Sequence, residues 1–329
     1  MRRTLNPLRP LGLGELIDRS VNFWRAHWKP LFQLLLGFQL VQGILLSASQ
    51  VIGHSLFPLA SDPVAIQDAT ALPQLVGKMS VFTVAVLLAL LTAQVAGVAT
   101  AHFSFTRLIG KGQPTGSDAF RHAAARLGPT TGAFFLSMAW SLVVMVLLML
   151  PAVGLGFGAA LLGAKGDKAP AIVLGVLAAI ALGLGSLVLV VWFAIRFILV
   201  SQIIAVEPLG ALATFRRADA LSSGRVYEGW GGIVKLRLTV LVTIVGLVLF
   251  VMSAVASIPT LIAGAIFGAN FTPGHTLNDV VPLAVLLPLQ LLQSVLGALL
   301  APLYSVFQAF FYTDMKVRRE GLDLELALT

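Results

Sequence analysis

The feature that most constrains this chain is a set of six long segments that contain no Asp, Glu, Lys or Arg. They cover residues 30–61, 79–106, 127–164, 169–195, 238–278 and 280–313. Each is longer than the roughly 20 residues that a helix needs to cross the hydrocarbon core of a bilayer. Only helices or closed barrels satisfy their backbone hydrogen bonds in lipid, and these segments lack the two-residue alternation of barrel strands. The sequence therefore predicts an all-α, polytopic membrane protein with six transmembrane helices.

The basic residues of the chain are clustered, and their positions predict its orientation. Of 22 Lys and Arg residues, six lie before residue 30, four in 107–126, six in 196–237 and three in 316–319. The loops between these clusters contain only Lys78, Lys165 and Lys168. Basic residues concentrate on the cytoplasmic side of membrane proteins. We therefore expect a multi-pass protein of the bacterial inner membrane with both termini in the cytoplasm. The net charge of +8 is then explained by topology and by attraction to anionic lipids, and we expect no nucleic-acid partner.

The residue types needed for common catalytic chemistry are sparse. The chain has 329 residues and no cysteine, which excludes disulfides, thiolate catalysis and Cys-based metal sites. Its five histidines are scattered, and no two acidic residues flank one of them at the spacing of metal ligands. We therefore predict no catalytic residue, no metal site and no cofactor, and a protein that is not an enzyme.

Short matches along the chain predict an internal repeat. Gln113-Pro114-Thr115-Gly116 and Glu207-Pro208-Leu209-Gly210 correspond at a separation of 94 residues, and at the same separation His102-Phe103 corresponds to Arg196-Phe197. We expect three tandem units, each a basic interfacial helix followed by a helical hairpin, and we expect Pro151 and Pro259 to end the outward-running helices. The predicted units cover residues 11–107, 108–207 and 208–316, with an acidic tail at 317–329, all in a single membrane domain.

Three stretches resemble a known family. Residues 311–325 read FYTDMKVRREGLDLE, residues 13–19 read LGELIDR, and residues 207–224 form a connector between helices. Together they are similar to the glycerophosphoryl diester phosphodiesterase membrane domain family. The resemblance implies a six-helix membrane architecture without an assigned reaction. The soluble phosphodiesterase domain found in some relatives would need roughly 250 further residues, so we expect no phosphodiesterase activity in this chain.

Two groups of polar residues are candidate sites. The candidate contacts to lipid headgroups or phosphate are Arg196, Arg216, Arg217, Arg225, Lys235 and Arg237. The candidate buried polar residues are His102, Gln290, Gln293 and Gln308. Arg196 lies near the end of an apolar segment, where its side chain can reach the headgroups, or it serves a polar role inside the bundle. His102 and Gln308 lie at comparable depths and, with Arg196, could form a polar ring. The glutamines either join helices by hydrogen bonds or line a permeation path.

These features favour a non-enzymatic membrane module that engages anionic lipid headgroups or scaffolds a membrane-associated partner. The expected partners are membrane lipids and a membrane or cytoplasmic protein, and the sequence does not specify an oligomeric state. The alternative is a transporter or channel for a small or lipid-derived solute, which would use the intramembrane glutamines.

The predicted topology has a direct test. Reporter tags that are active on only one side of the membrane, fused separately to each terminus, should both report the cytoplasmic face, because six crossings return the chain to its starting side. Reporters that place the termini on opposite faces would contradict this topology.

Overall fold

The computed structural model describes residues 9–61, 71–110, 112–228, 232–267, 281–322 and 324. Within these ranges the chain is helical, and it contains no strand beyond one isolated bridge between Arg225 and Ile233. The helices are α1 (Leu13–Ser61), α2 (Ala71–Leu108), α3 (Gly116–Ala125), α4 (Leu127–Ala164), α5 (Lys168–Phe197), α6 (Val200–Val206), α7 (Ala211–Ser222), α8 (Val234–Ile266) and α9 (Leu283–Glu320). Six of them, α1, α2, α4, α5, α8 and α9, are long and apolar enough to cross a membrane. The prediction of an all-α, multi-pass membrane protein is confirmed.

The prolines interrupt the long helices less than the sequence predicts. The backbone leaves helical geometry at His27 (φ −124°, ψ 20°) within α1, because the Pro30 ring crowds the preceding turn. By contrast, α4 continues through Pro151 and α8 continues through Pro259. The expectation that these two prolines end their helices is wrong. In a bilayer a helix that contains proline is tolerated because neighbouring groups satisfy the freed backbone.

The last helix, α9, extends into the predicted acidic tail at residues 317–329. α9 continues to Glu320, and Gly321 ends it in the left-handed conformation (φ 64°), with its N–H donated to the Val317 carbonyl. Glycine adopts this conformation without a steric cost, which is why it commonly follows a helix. Residues 317–320 therefore belong to the last helix, whereas most of the remaining predicted tail, including residues 325–329, lies outside the described residues.

Contacts divide the chain into two compact units. The first unit combines Met1–Leu127 with Leu241–Thr329, and the second is Gly128–Val240. These boundaries differ from those of the three predicted repeats, so the repeat arrangement stays a prediction. In the first unit, α1 packs against both α2 and α9. Its core includes Leu35 of α1, Ala96 of α2 and Ala298 of α9. In the second unit, α7 packs against α5 and α6.

One packing pattern recurs in both units and is consistent with a repeat. At the end of α2, the ring of His102 stacks on His122 of α3, with the ring centroids 3.7 Å apart. At the end of α5, Phe197 meets Phe215 of α7 edge-on at 4.8 Å. The end of α9 meets the first part of α1 through a similar pair of phenylalanine rings at 5.7 Å. Each time, the end of a long apolar helix contacts a short helical segment with a polar face.

A buried carboxylate joins the two ends of the described chain. Asp314 of α9, whose side chain is fully buried, accepts hydrogen bonds on both oxygens from Nε of Arg318, each at 3.0 Å. Asp314 Oδ1 also accepts the backbone N–H of Leu11 at 2.8 Å, and Arg318 donates to the Leu11 carbonyl at 2.8 Å. This arrangement, which we call the terminal clamp, fixes the entry into α1 against the end of α9.

The terminal clamp should contribute measurably to stability. Asp314→Asn removes the charge that compensates the largely buried Arg318, so we expect a loss of about 3 kcal/mol in the free energy of unfolding. The matched control is Glu320→Gln, which breaks a more exposed ion pair with Lys316 and should cost about 0–1 kcal/mol. Unfolding by SDS in mixed micelles, followed by tryptophan fluorescence, measures both. Equal losses in the free energy of unfolding would show that the terminal clamp contributes no more to stability than a more exposed ion pair.

Candidate functional site

A cavity in the first unit lies where the beginning of α1 meets the ends of α2 and α9. Its volume is about 770 Å³, within the range of roughly 300–1,000 Å³ typical of small-molecule sites. The lining residues are Arg9, Leu11, Arg19, Asn22, Phe23, His27, Arg107, Leu108, Gly110, Gly112, Gln113, Phe310, Thr313, Asp314 and Val317. We call it the basic cavity because arginines from three separate segments line it.

Two of these arginines are held by one carboxylate. Arg9 and Arg19 both donate to Oε1 of Glu15, at 2.7 Å and 2.8 Å. Arg19 and Glu15 lie four residues apart on α1, a spacing at which helical side chains meet. A single negative charge thus orients two positive ones, and the local balance stays positive.

Arg107 is the third cation of the basic cavity. Its guanidinium lies over the Phe103 ring, 4.6 Å from the ring centroid, an arrangement that orients the planar group. Its Nε is buried and has no hydrogen-bond partner among the described residues. A buried polar group without a partner is costly, which makes Arg107 a candidate donor to an external acceptor.

The remaining wall of the basic cavity is largely apolar. Aliphatic and aromatic side chains contribute to it alongside the three arginines: Leu11, Phe23, Leu108, Phe310 and Val317. Asp314, the one carboxylate among the described lining residues, is already compensated by the terminal clamp. The cavity therefore combines cationic donors with an apolar surface and has little free negative charge.

Two glycines shape the loop that borders the basic cavity. Gly110 and Gly112 have φ angles of 70° and 141°, values that residues with a side chain rarely adopt. They flank Lys111, which lies outside the described residues, and precede Gln113 in the cavity wall. This turn brings the chain from the end of α2 to the start of α3.

Sequence reasoning missed the basic cavity, although its components were visible. In the sequence, Arg9 and Arg107 serve only as markers of membrane sidedness, and Arg19 and Asp314 lie in stretches that carry the family resemblance. No spacing rule connects residues 9, 107 and 314, since it is tertiary packing that brings them together.

The second unit contains a smaller site that includes two predicted residues. Its cavity, of about 230 Å³, is lined by Leu136, Trp140, Arg196, Phe197, Leu212, Phe215, Arg216 and Asp219. Nε of Arg196 lies 3.9 Å from the Asp219 carboxylate, and its guanidinium lies 5.7 Å from the Trp140 ring centroid. Arg196 stands at the end of α5, and about a third of its side chain is exposed. This geometry is consistent with the interpretation that Arg196 reaches the headgroup region.

The other predicted basic residues have diverse environments. Arg217 pairs with Glu207 at 3.1 Å, whereas Arg225 and Lys235 are exposed. Arg237 is only 2% exposed and lies 5.9 Å from the Tyr227 ring centroid. Its burial gives no support to the predicted contact with a lipid headgroup.

The four predicted buried polar residues do not form one cluster. His102 stacks on His122, and Gln308 is buried and shares a hydrogen bond with Tyr304. Gln290 donates to Gln50 at 2.6 Å, and Gln293 donates to Thr260 at 3.0 Å. The bonds of Gln290 and Gln293 each link two helices, whereas the bond of Gln308 lies within α9.

Gln293 also lines a second cavity in the first unit. It has a volume of about 400 Å³ and is bordered by Gln39, Leu249, Ser253, Ala256, Ser257, Gln293, Gly297, Leu300 and Ala301. We call it the polar cleft. It lies among α1, α8 and α9, at a depth where the sequence is otherwise apolar.

The cap of α3, the helix on which His102 packs, should respond to acid. Thr115 and Asp118 form a reciprocal capping box, and the hydrogen bonds from the Thr115 side chain and backbone hold the pKa of Asp118 below its ordinary value. A carboxyl whose pKa is lowered in the folded state stabilises that state at pH values above its ordinary pKa. This contribution to stability is lost as the pH falls through the lowered pKa.

We therefore expect amide hydrogen exchange in residues 116–125 to accelerate below about pH 4. Asp118→Asn should accelerate exchange at neutral pH and remove the acid dependence of this segment. The matched control is Asp167→Asn, because Asp167 precedes α5 without a side-chain cap hydrogen bond. If the amides of residues 116–125 exchange at the same rate in the Asp118→Asn variant and in the unmodified chain at pH 7, the capping account is wrong.

Comparisons with known proteins do not identify the chain. No protein-family model, curated protein or solved structure matches it. The resemblance to the glycerophosphoryl diester phosphodiesterase membrane domain family therefore stays a prediction. The functional argument depends on the geometry of the sites themselves.

Proposed function

We propose that this multi-pass membrane protein binds the phosphate-bearing headgroup of an anionic lipid in the basic cavity. The observation that carries the proposal is Arg107, whose buried Nε has no partner among the described residues and which faces an amphipathic space shared with Arg9 and Arg19. Arginine donates two parallel hydrogen bonds to a phosphate, which gives both strength and orientation.

Two properties of the basic cavity, its arginines and its apolar side chains, suit a lipid better than a free anion. The arginines supply N–H groups that can donate hydrogen bonds to a phosphate. The apolar side chains, which include Phe23 and Phe310, suit the glycerol backbone and the first methylenes of the acyl chains. The cavity is lined by the ends of transmembrane helices, where headgroups are found, and an interfacial position also places it within the negative surface potential of anionic lipids.

The smaller cavity of the second unit also supports the proposal. Arg196 and Arg216 line a cavity with aromatic side chains, although Asp219 cancels part of their charge. Headgroups held in this way could also present the basic surface to a membrane-associated partner, which is the scaffolding role expected from the sequence. We make lipid binding the primary proposal because the basic cavity provides donors for it.

Transport is the alternative, and the polar cleft is the observation that favours it. However, buried apolar side chains separate the cleft from the basic cavity, among them Leu31 and Leu35 of α1 and Val306 and Phe307 of α9. Along α9, Phe310 lies nine positions beyond Ala301, which corresponds to about 14 Å of helix. These buried apolar side chains argue against a continuous polar path through the first unit, although Gln308 is buried on the same stretch of α9. Headgroup binding is the better supported function.

Native mass spectrometry of protein reconstituted with phosphatidylglycerol and phosphatidylethanolamine tests the proposal. The unmodified protein should retain phosphatidylglycerol in preference to phosphatidylethanolamine. Arg107→Gln should weaken this retention by about 10-fold to 100-fold, since a hydrogen bond to a charged group contributes about 1.5–3 kcal/mol.

The matched control is Arg121→Gln, which removes one exposed charge from α3 at a position outside the basic cavity. It should leave retention nearly unchanged. If Arg107→Gln retains phosphatidylglycerol as well as the unmodified protein does, or if both substitutions weaken retention equally, the proposed site is wrong. Thermal unfolding of each variant checks that the fold is intact.

A further inference from the structure

The polar cleft has no role in the proposed binding of headgroups. It is lined by two carboxamides, two hydroxyls and small or aliphatic residues, and none of its described lining residues is charged. Three helices contribute polar side chains to it: α1 supplies Gln39, α8 supplies Ser253 and Ser257, and α9 supplies Gln293. Polar groups at this depth are costly in lipid, and a converging set of them points to function.

Part of this polar surface is already satisfied within the protein. Gln293 donates its amide N–H to Thr260 at 3.0 Å. Ser257 donates to the Ala254 carbonyl at 2.8 Å, within its own helix. These bonds hold the side chains in place and use their donors, but they leave the carbonyl oxygen of Gln293 available as an acceptor.

The other part is not satisfied. Neither the Gln39 nor the Ser253 side chain makes a hydrogen bond to any residue in the described ranges. Gln39 also has room to present its amide to the cleft, because a Cβ on Gly297 would lie only 3.3 Å from Gln39 Oε1. Glycine at position 297 therefore leaves space for the carboxamide. An unsatisfied amide in a membrane interior costs several kcal/mol, so an occupant that supplies hydrogen bonds would stabilise the cleft.

We propose that the polar cleft binds an uncharged ligand that carries several hydroxyl groups. A charged ligand is disfavoured because no side chain in the wall could compensate its charge. A hydroxyl both donates and accepts, so it can serve the Gln39 amide, the Ser253 hydroxyl and the Gln293 carbonyl together. A ligand with carbonyl acceptors alone would leave the Gln293 oxygen unsatisfied. The volume of about 400 Å³ also exceeds the roughly 30 Å³ of a single water molecule.

The ligand reaches the cleft from the bilayer or from the side opposite the basic cavity. Ser253 is exposed on α8, whereas Leu31, Leu35 and Phe307 are buried between the two cavities. The shared chemistry is a short run of hydroxyls, which either a free polyol such as glycerol or an uncharged lipid such as diacylglycerol provides.

The natural absence of cysteine allows a sharp test in the full chain. Ser253→Cys places a single thiol in the wall of the cleft, and Val255→Cys places one on the same helix at a position that is 57% exposed but outside the cleft. Modification by the water-soluble, uncharged 2-hydroxyethyl methanethiosulfonate requires a hydrated thiolate. We expect Ser253→Cys to react at least about 10-fold faster than Val255→Cys. A difference of one unit in thiol pKa changes the thiolate fraction by this factor.

Protection then identifies the ligand. Glycerol or 1,2-dioctanoylglycerol should slow the modification of Ser253→Cys, and inorganic phosphate should not. Adding Gln39→Leu should abolish the protection, whereas Gln33→Leu, an exposed position on α1 outside the cleft, should preserve it. Protection by glycerol alone supports a free polyol, and protection by dioctanoylglycerol alone supports an uncharged lipid.

Two results would overturn the proposal. Equal reactivity of Ser253→Cys and Val255→Cys would show that the cleft does not admit polar molecules. Fast reactivity without protection by either compound would show that the cleft holds water only. Both results are independent of the retention of phosphatidylglycerol, which tests the basic cavity.

Discussion

A single buried carboxylate, Asp314, holds the start of the described chain against its end. Its two oxygens accept from Arg318 and from the backbone of Leu11, residues that are about 300 positions apart in the sequence. The basic cavity depends on this contact, because its walls come from the entry into α1 and the ends of α2 and α9. A charge that is buried near the membrane surface needs a partner, and here the partner also positions the candidate site.

The first unit is layered along α1 and α9. The basic cavity occupies one end, a layer of buried Leu and Phe follows, and the polar cleft lies beyond it. Under the two proposals, the basic cavity would bind phosphate and the polar cleft would bind uncharged hydroxyl groups. The apolar layer keeps them separate, since moving a charged group through it would carry a large desolvation cost.

The sequence predicted the fold better than it predicted the site. Six uncharged segments became six long helices because the length of a membrane-spanning helix is set by bilayer thickness. The prediction that Arg196 lies at the end of a helix agrees with the bounds of α5. Arg107, however, is one of many basic residues until tertiary packing places it beside Arg9 and Arg19. The same holds for Gln39 and Ser253, which meet only through the packing of α1, α8 and α9.

The most direct test of the central claim is a cryo-electron microscopy map of the protein in nanodiscs that contain phosphatidylglycerol. The account predicts a phosphate density within hydrogen-bonding distance of the Arg107 guanidinium, continuous with acyl density along Phe23 and Phe310. A map of the same quality that shows ordered phosphatidylglycerol elsewhere on the protein and none in the basic cavity would contradict it.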